Sequence, residues 1–99
     1  MLLTGKEIKQ FFSSAKGVFI DRGDKYVFID LENDRANIID KPESEVKLDQ
    51  TPRIIYSRVF DAVQTLEDEK KYRMTVVFNA ILFENEEGET DLVITGDRY

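Results

Sequence analysis

The sequence predicts an α+β domain, an antiparallel β-sheet with two helices in the order α-β-β-β-α-β-β, spanning residues 1–99 as one domain. Three observations predict it. Apolar residues recur at helical spacing in two places, each opened by a helix-start signal. Three short β-branched and aromatic runs lie between turn clusters in the first half. A longer run of the same kind and a returning run flank a glycine turn near the C-terminus.

The first helix opens at "TGKE". Thr4 can accept from the amide of Glu7 while the Glu7 side chain reaches back, which is a capping box. Ile8, Phe11, Phe12 and Ala15 follow at i, i+3, i+4 and i+7 and form one helical face. Gly17 is placed to end the helix in a left-handed turn, so the helix is expected over about Gly5 to Ala15. A meander follows, with strands at Val18 to Asp21, Lys25 to Leu31 and Ala36 to Ile39. "DRGD" and "ENDR" supply the turn residues, and links this short impose antiparallel pairing.

Asp40 to Gln50 reads as a polar connection with a short extended piece at Glu45 to Leu48. Thr51 and Pro52 then read as N-cap and first position of a second helix reaching about Glu69. Ile55, Val59, Phe60, Val63 and Leu66 would form its apolar face. Tyr72 to Glu84 reads as one long strand, apolar on both faces through its middle. Gly88 suits a hairpin turn, and Thr90 to Thr95 returns as the last strand. A strand with two apolar faces needs two covers: either a helix on each face or a second chain. The second choice predicts a homodimer.

Composition narrows the chemistry. The chain has no Cys and no His. A disulfide scaffold, a thiolate metal site and Ser–His or Cys–His catalysis are therefore excluded. No P-loop, dinucleotide fingerprint or G-x-S-x-G is present. No metal site and no cofactor are expected. The net charge of −6 repels phosphates and anionic lipid, so neither direct nucleic-acid binding nor membrane association is expected. No apolar run approaches the roughly eighteen residues of a membrane span, and Met1 to Lys9 has too short an apolar run for a secretion signal. A cytoplasmic location follows as the expectation, the host cytoplasm if the chain is viral.

The charge is gathered at one place. "ILFENEEGETDLVI" sets Glu84, Glu86, Glu87, Glu89 and Asp91 on or beside a tight turn, with no Lys or Arg among them. Adjacent carboxylates in water repel by at most about 1 kcal/mol per pair, a cost the fold tolerates without gain. Such a tip can simply protect a hairpin edge from pairing. It can also present charge to a partner with a basic surface, with Phe83 or Leu92 adding apolar contact at the rim. Same-side carboxylates on a strand repeat every ~6.6 Å, close to the phosphate repeat of a nucleic-acid strand. The expected function is a small acidic, non-enzymatic inhibitor or modulator, of the kind viruses and mobile elements encode, acting on a basic nucleic-acid-handling protein. The alternative is a dimeric structural or virion-associated protein.

Other motifs carry less. "ENEEGETD" lacks the residue order of a calcium loop and its closing Glu, and "LENDRAN" reads as a plain turn. The tripeptide Arg22-Gly23-Asp24 falls on a turn that needs its glycine anyway. Glu45 and Lys47, with Asp30 or Asp40, have the residue types of an Mg²⁺-dependent nuclease site, but they lie in a Pro-containing connection rather than on a central strand.

Overall fold

The computed structural model describes residues 1–46, 53–57 and 59–98, with backbone alone at 53–57, 97 and 98. The fold is α+β with two helices, and its strands form two antiparallel sheets rather than one. In chain order the elements are β1 (Leu2–Thr4), α1 (Gly5–Phe11), β2 (Lys16–Asp21), β3 (Lys25–Asp30), β4 (Arg35–Asp40), a 3₁₀ turn (Glu43–Glu45), β5 (Arg53–Ser57), α2 (Val59–Val63), β6 (Lys71–Val77), β7 (Ala80–Glu84), β8 (Thr90–Thr95) and β9 (Asp97–Arg98). One sheet has the order β1-β6-β7-β8 and the other β4-β3-β2-β5-β9. The core lies between them. Phe19 and Phe28 come from the five-stranded sheet, Tyr72, Ile81 and Phe83 from the four-stranded one, and Ile8, Phe12, Val59 and Val63 from the helical segments.

The capping box forms as its residues require. Thr4 Oγ1 accepts from Glu7 N at 3.1 Å, and Glu7 Oε1 accepts from Thr4 N at 3.0 Å. The helix ends at Phe11, four residues before the expected Ala15. Ser13 and Ser14 turn their hydroxyls elsewhere, to Asp30 Oδ2 at 2.6 Å and to the Lys16 carbonyl at 2.8 Å. Serines that find such partners leave a helix readily. Gly17 does not cap the helix. It lies in β2, where a Cβ would overlap the ring of Phe28, so its role is close packing across the sheet.

The meander is present, with Phe19 opposite Phe28 and Val27 opposite Ile38. Two later expectations are corrected. Arg53 to Ser57 is not the first turn of a helix but strand β5, antiparallel to β2 with Val18 opposite Ile55. "RIIYS" is β-branched and aromatic, and the unpaired edge of β2 supplies partners for its backbone. Thr51 and Pro52, the expected cap, lie outside the described residues, as do Lys47 and Leu48. The second helix is α2 alone, prolonged to Leu66 by i→i+3 bonds from Gln64, Thr65 and Leu66.

The thirteen-residue strand is also two strands. It folds back at Phe78 and Asn79, with Val77 opposite Ala80 and Met74 opposite Phe83. The turn reverses the side-chain phase. Met74, Ile81 and Phe83 face the core, while Thr75, Val77, Ala80 and Leu82 alternate with them to the other side. Two-sided apolar character falls instead on β2 and β3, whose outward positions are Val18, Ile20, Val27 and Ile29.

Candidate functional site

The acidic turn is built by Asn85. Its amide donates to the Glu89 carbonyl at 2.8 Å, and its carbonyl accepts from Gly88 N at 3.1 Å. Its side-chain Oδ1 accepts from Glu87 N at 2.9 Å and Glu89 N at 3.0 Å, and its Nδ2 donates to Asp91 Oδ1 at 3.1 Å. Gly88 takes φ +82, and a Cβ there would meet open space, so backbone conformation alone demands the glycine. The register shifts between Phe83 and Glu84, with Glu84 opposite Thr90 and Phe83 opposite Leu92, which leaves Asp91 as the extra residue of a bulge.

The turn's geometry therefore uses Asn85 and one oxygen of Asp91. Among the described residues, the side chains of Glu84, Glu86, Glu87 and Glu89 accept no hydrogen bond and join no ion pair. Arg73 is the cross-strand neighbour of Glu84 but forms no ion pair with it. Lys70 is bonded to Glu67 at 3.2 Å, which raises its ammonium above the usual range; Asp91 adds to that shift from further away. Glu86, Glu87, Glu89 and Asp91 are exposed, and Glu84 is half-buried. The apolar rim differs from expectation. Phe83 is fully buried and cannot meet a partner, and Leu92 is half-buried against the core. The outward residues of the same strands are Leu82 and Val93, directly opposite each other.

The nuclease-like residues do not assemble. Asp30 pairs with Arg35 and Asp40 with Lys25, at opposite ends of the β3–β4 ladder, about 17 Å apart by strand rise. Glu45 lies in the 3₁₀ turn, and Lys47 lies outside the described residues. No group of three or more acidic residues among the described residues is arranged to hold a metal ion. The Arg22-Gly23-Asp24 turn exposes Arg22 and Asp24, and Gly23 N donates to Asp21 Oδ1 at 2.9 Å.

Sequence reasoning missed two buried carboxylates. Asp21 follows Gly17 and Phe19 in β2, and Asp30 follows Tyr26 and Phe28 in β3; period two places both in phase with core residues. That signal was present in "VFID" on both strands. Asp21 binds Lys41 Nζ at 2.7 Å, and the ammonium stands 4.5 Å from the Tyr26 ring centre. Burial, with Asp21 and Glu45 nearby, pushes the Tyr26 phenol up to about 12.

Asp30 is fully buried and accepts from Ser13 Oγ, from Glu32 N and Asn33 N at 3.0 Å each, and from Asn33 Nδ2 at 2.8 Å. Asn37 Nδ2 extends the network to the Phe11 carbonyl at 2.7 Å and to Ser13 Oγ at 2.9 Å. The network locks the β3–β4 turn to the end of α1. Burial alone would raise the Asp30 carboxyl, but the bonds from Asn33 and Ser13 outweigh it and hold the carboxyl well below the usual carboxylate range.

A depressed folded-state pKa gives stability that is present above the unfolded value, about 4, and lost as pH falls through the folded one. Acidification below about pH 4 should therefore destabilise the wild type more steeply than Asp30→Asn. Urea unfolding across an acid pH series checks this; parallel curves for the two proteins would exclude it.

No helix among the described residues is long and apolar enough to cross a membrane. Comparison with known protein families, curated proteins and solved structures gives no match.

Proposed function

We propose that the protein is a non-enzymatic binding module that docks on a basic surface of another protein through Glu84, Glu86, Glu87, Glu89 and Asp91. The observation that carries this reading is the division of labour in the turn. Asn85 holds the backbone, and four carboxylates stand without a cation or donor among the described residues. Carboxylates that neither fold the turn nor pair with a described residue are available to a partner. Their mutual repulsion is relieved when cations approach. A partner that normally holds nucleic acid fits, because its basic groove is built to receive repeated negative charge. The nuclease alternative has less support, since the lone pairs of Asp30 are occupied by Ser13 and Asn33 and its distance from Asp40 is too great for one shared ion.

Affinity capture at two salt concentrations tests the proposal. The wild type should retain a basic protein at about 50 mM salt and lose most of it at about 200 mM, because exposed charges are screened over that range. The variant with Glu84, Glu86, Glu87 and Glu89 all changed to Gln should retain little at either. Retention that is indifferent to both salt and substitution would refute the reading.

A further inference from the structure

The outer face of the β1-β6-β7-β8 sheet carries a second feature that the fold does not require. Of the six large apolar side chains left exposed among the described residues, four belong to this sheet and its β6–β7 turn: Leu2 (48%), Val77 (45%), Phe78 (78%) and Val93 (53%); Leu31 and Ile38 lie on the other sheet's meander. Cross-strand register aligns Leu82 with Val93 in one row and Val77 with Ala80 in the next. Phe78 occupies the β6–β7 turn with φ +54. That left-handed conformation suits glycine or asparagine and strains an aromatic residue. Asn79, the other turn residue, is held in place by Gly96: its Nδ2 donates to the Gly96 carbonyl at 2.9 Å, and Gly96 N donates to its carbonyl at 2.8 Å. Phe78 thus stands at the tip of the sheet, strained and in water.

The acidic turn is at the opposite end of the same strands, about 17 Å away along the five residues of β7. There Leu2, Arg73, Glu84 and Glu86 line a shallow depression of about 470 Å³. The face is therefore apolar from Phe78 to the Leu82–Val93 row, and beyond it Glu84 and Glu86 stand beside Arg73 and Leu2 before the acidic turn.

The geometry points to one continuous docking surface, from Phe78 to the acidic turn, for a segment of a partner protein in which apolar side chains are followed by Lys or Arg. The inference rests on the binding reading above and adds the partner's apolar half and its order. A second copy of the chain does not fit. Stacked in the same direction, two such faces bring the acidic turns together; stacked head to tail, each sets its carboxylates over the other's Phe78.

Two synthetic peptides of equal net charge test this on isotope-labelled protein by residue-resolved NMR. One contains lysine as its only charged or apolar residue. The other is a block peptide, alternating leucine and serine followed by lysines. The lysine peptide should shift the amides of residues 84–91. The block peptide should also shift Val77, Phe78, Leu82 and Val93 and bind about tenfold more tightly, the gain expected for burying part of one aromatic side chain. Phe78→Asn, which suits the left-handed turn, should abolish that gain while leaving thermal stability equal or higher.

If the lysine peptide binds the turn but the block peptide gains nothing, the extended surface is wrong and the charge reading stands. If neither binds, both fail. A clear loss of stability in Phe78→Asn would assign Phe78 to the fold instead. Sedimentation as a dimer that Phe78→Asn dissolves, or binding to neutral phosphatidylcholine vesicles through Phe78, would replace the partner protein with a second copy or a membrane.

Discussion

Phe12→Ala should cost about 3–5 kcal/mol of stability, the range for truncating a fully buried aromatic residue. Phe12 is the residue that joins the two sheets. Its ring centre lies 5.9 Å from Phe19 and 5.3 Å from Phe28 on one side, and 6.5 Å from Phe83 on the other. Phe11 adds an edge-to-face contact at 4.8 Å. A cavity there is walled by strands of both sheets, whose backbone hydrogen bonds keep them from collapsing inward. A domain of this size has about 5–15 kcal/mol in total, so the variant should be close to unfolding at room temperature. Urea unfolding followed by circular dichroism checks it, read as a lower midpoint at unchanged slope. A loss below about 1 kcal/mol would mean the sheets close over the gap, contrary to the expected cavity cost.

The second large effect should come from Lys41→Met. Lys41 and Asp21 are bonded at 2.7 Å, with side chains only 6% and 9% exposed. Removing the ammonium leaves a carboxylate with little water and, among the described residues, Gly23 N as its remaining donor. Breaking one side of such a pair costs about 3–5 kcal/mol, and the contact with Tyr26 is lost as well. Asp21→Asn in the same chain removes the stranded charge. The double variant should therefore be more stable than Lys41→Met alone, by a margin a double-mutant cycle measures. Additive losses would show that the two groups act independently. Because the pair is buried, added salt should change its contribution little. Its place explains the cost. Lys41 follows β4 and Asp21 ends β2, so the bond pins the start of the 41–46 segment to the β2–β3 turn, where Lys41 N also donates to the Asp24 carbonyl at 3.0 Å.

Much of the candidate surface was legible in the residues. The acidic turn lies where Gly88 and the flanking apolar runs indicate, because turn chemistry is local. Its apolar companion was not legible. Reading Tyr72 to Glu84 as one strand put Phe78 in phase with Ala80 and Leu82, as a strand residue. Phe-Asn is not a turn signature, and only the Asn79–Gly96 bonds, across 17 residues of sequence, show why the chain reverses there. The same reversal moved Phe83 inward and Leu82 outward, which changed the side chains a partner can reach. Asp21 and Asp30 were legible by phase. Their partners Lys41 and Ser13 were not, being 20 and 17 residues away.

Local chemistry specifies the capped first helix, the β2–β3–β4 meander and the charged final hairpin. Each is closed by bonds between residues near one another in the chain, so composition and spacing suffice. Tertiary structure alone decided that Arg53–Ser57 is a strand, that the strands divide into two sheets, and that Gly17 serves packing rather than capping. Short apolar runs satisfy helical and extended spacing equally well. What resolves them is a partner's backbone or ring in a distant segment: the edge of β2 for β5, the ring of Phe28 for Gly17, and Phe12 between the two layers.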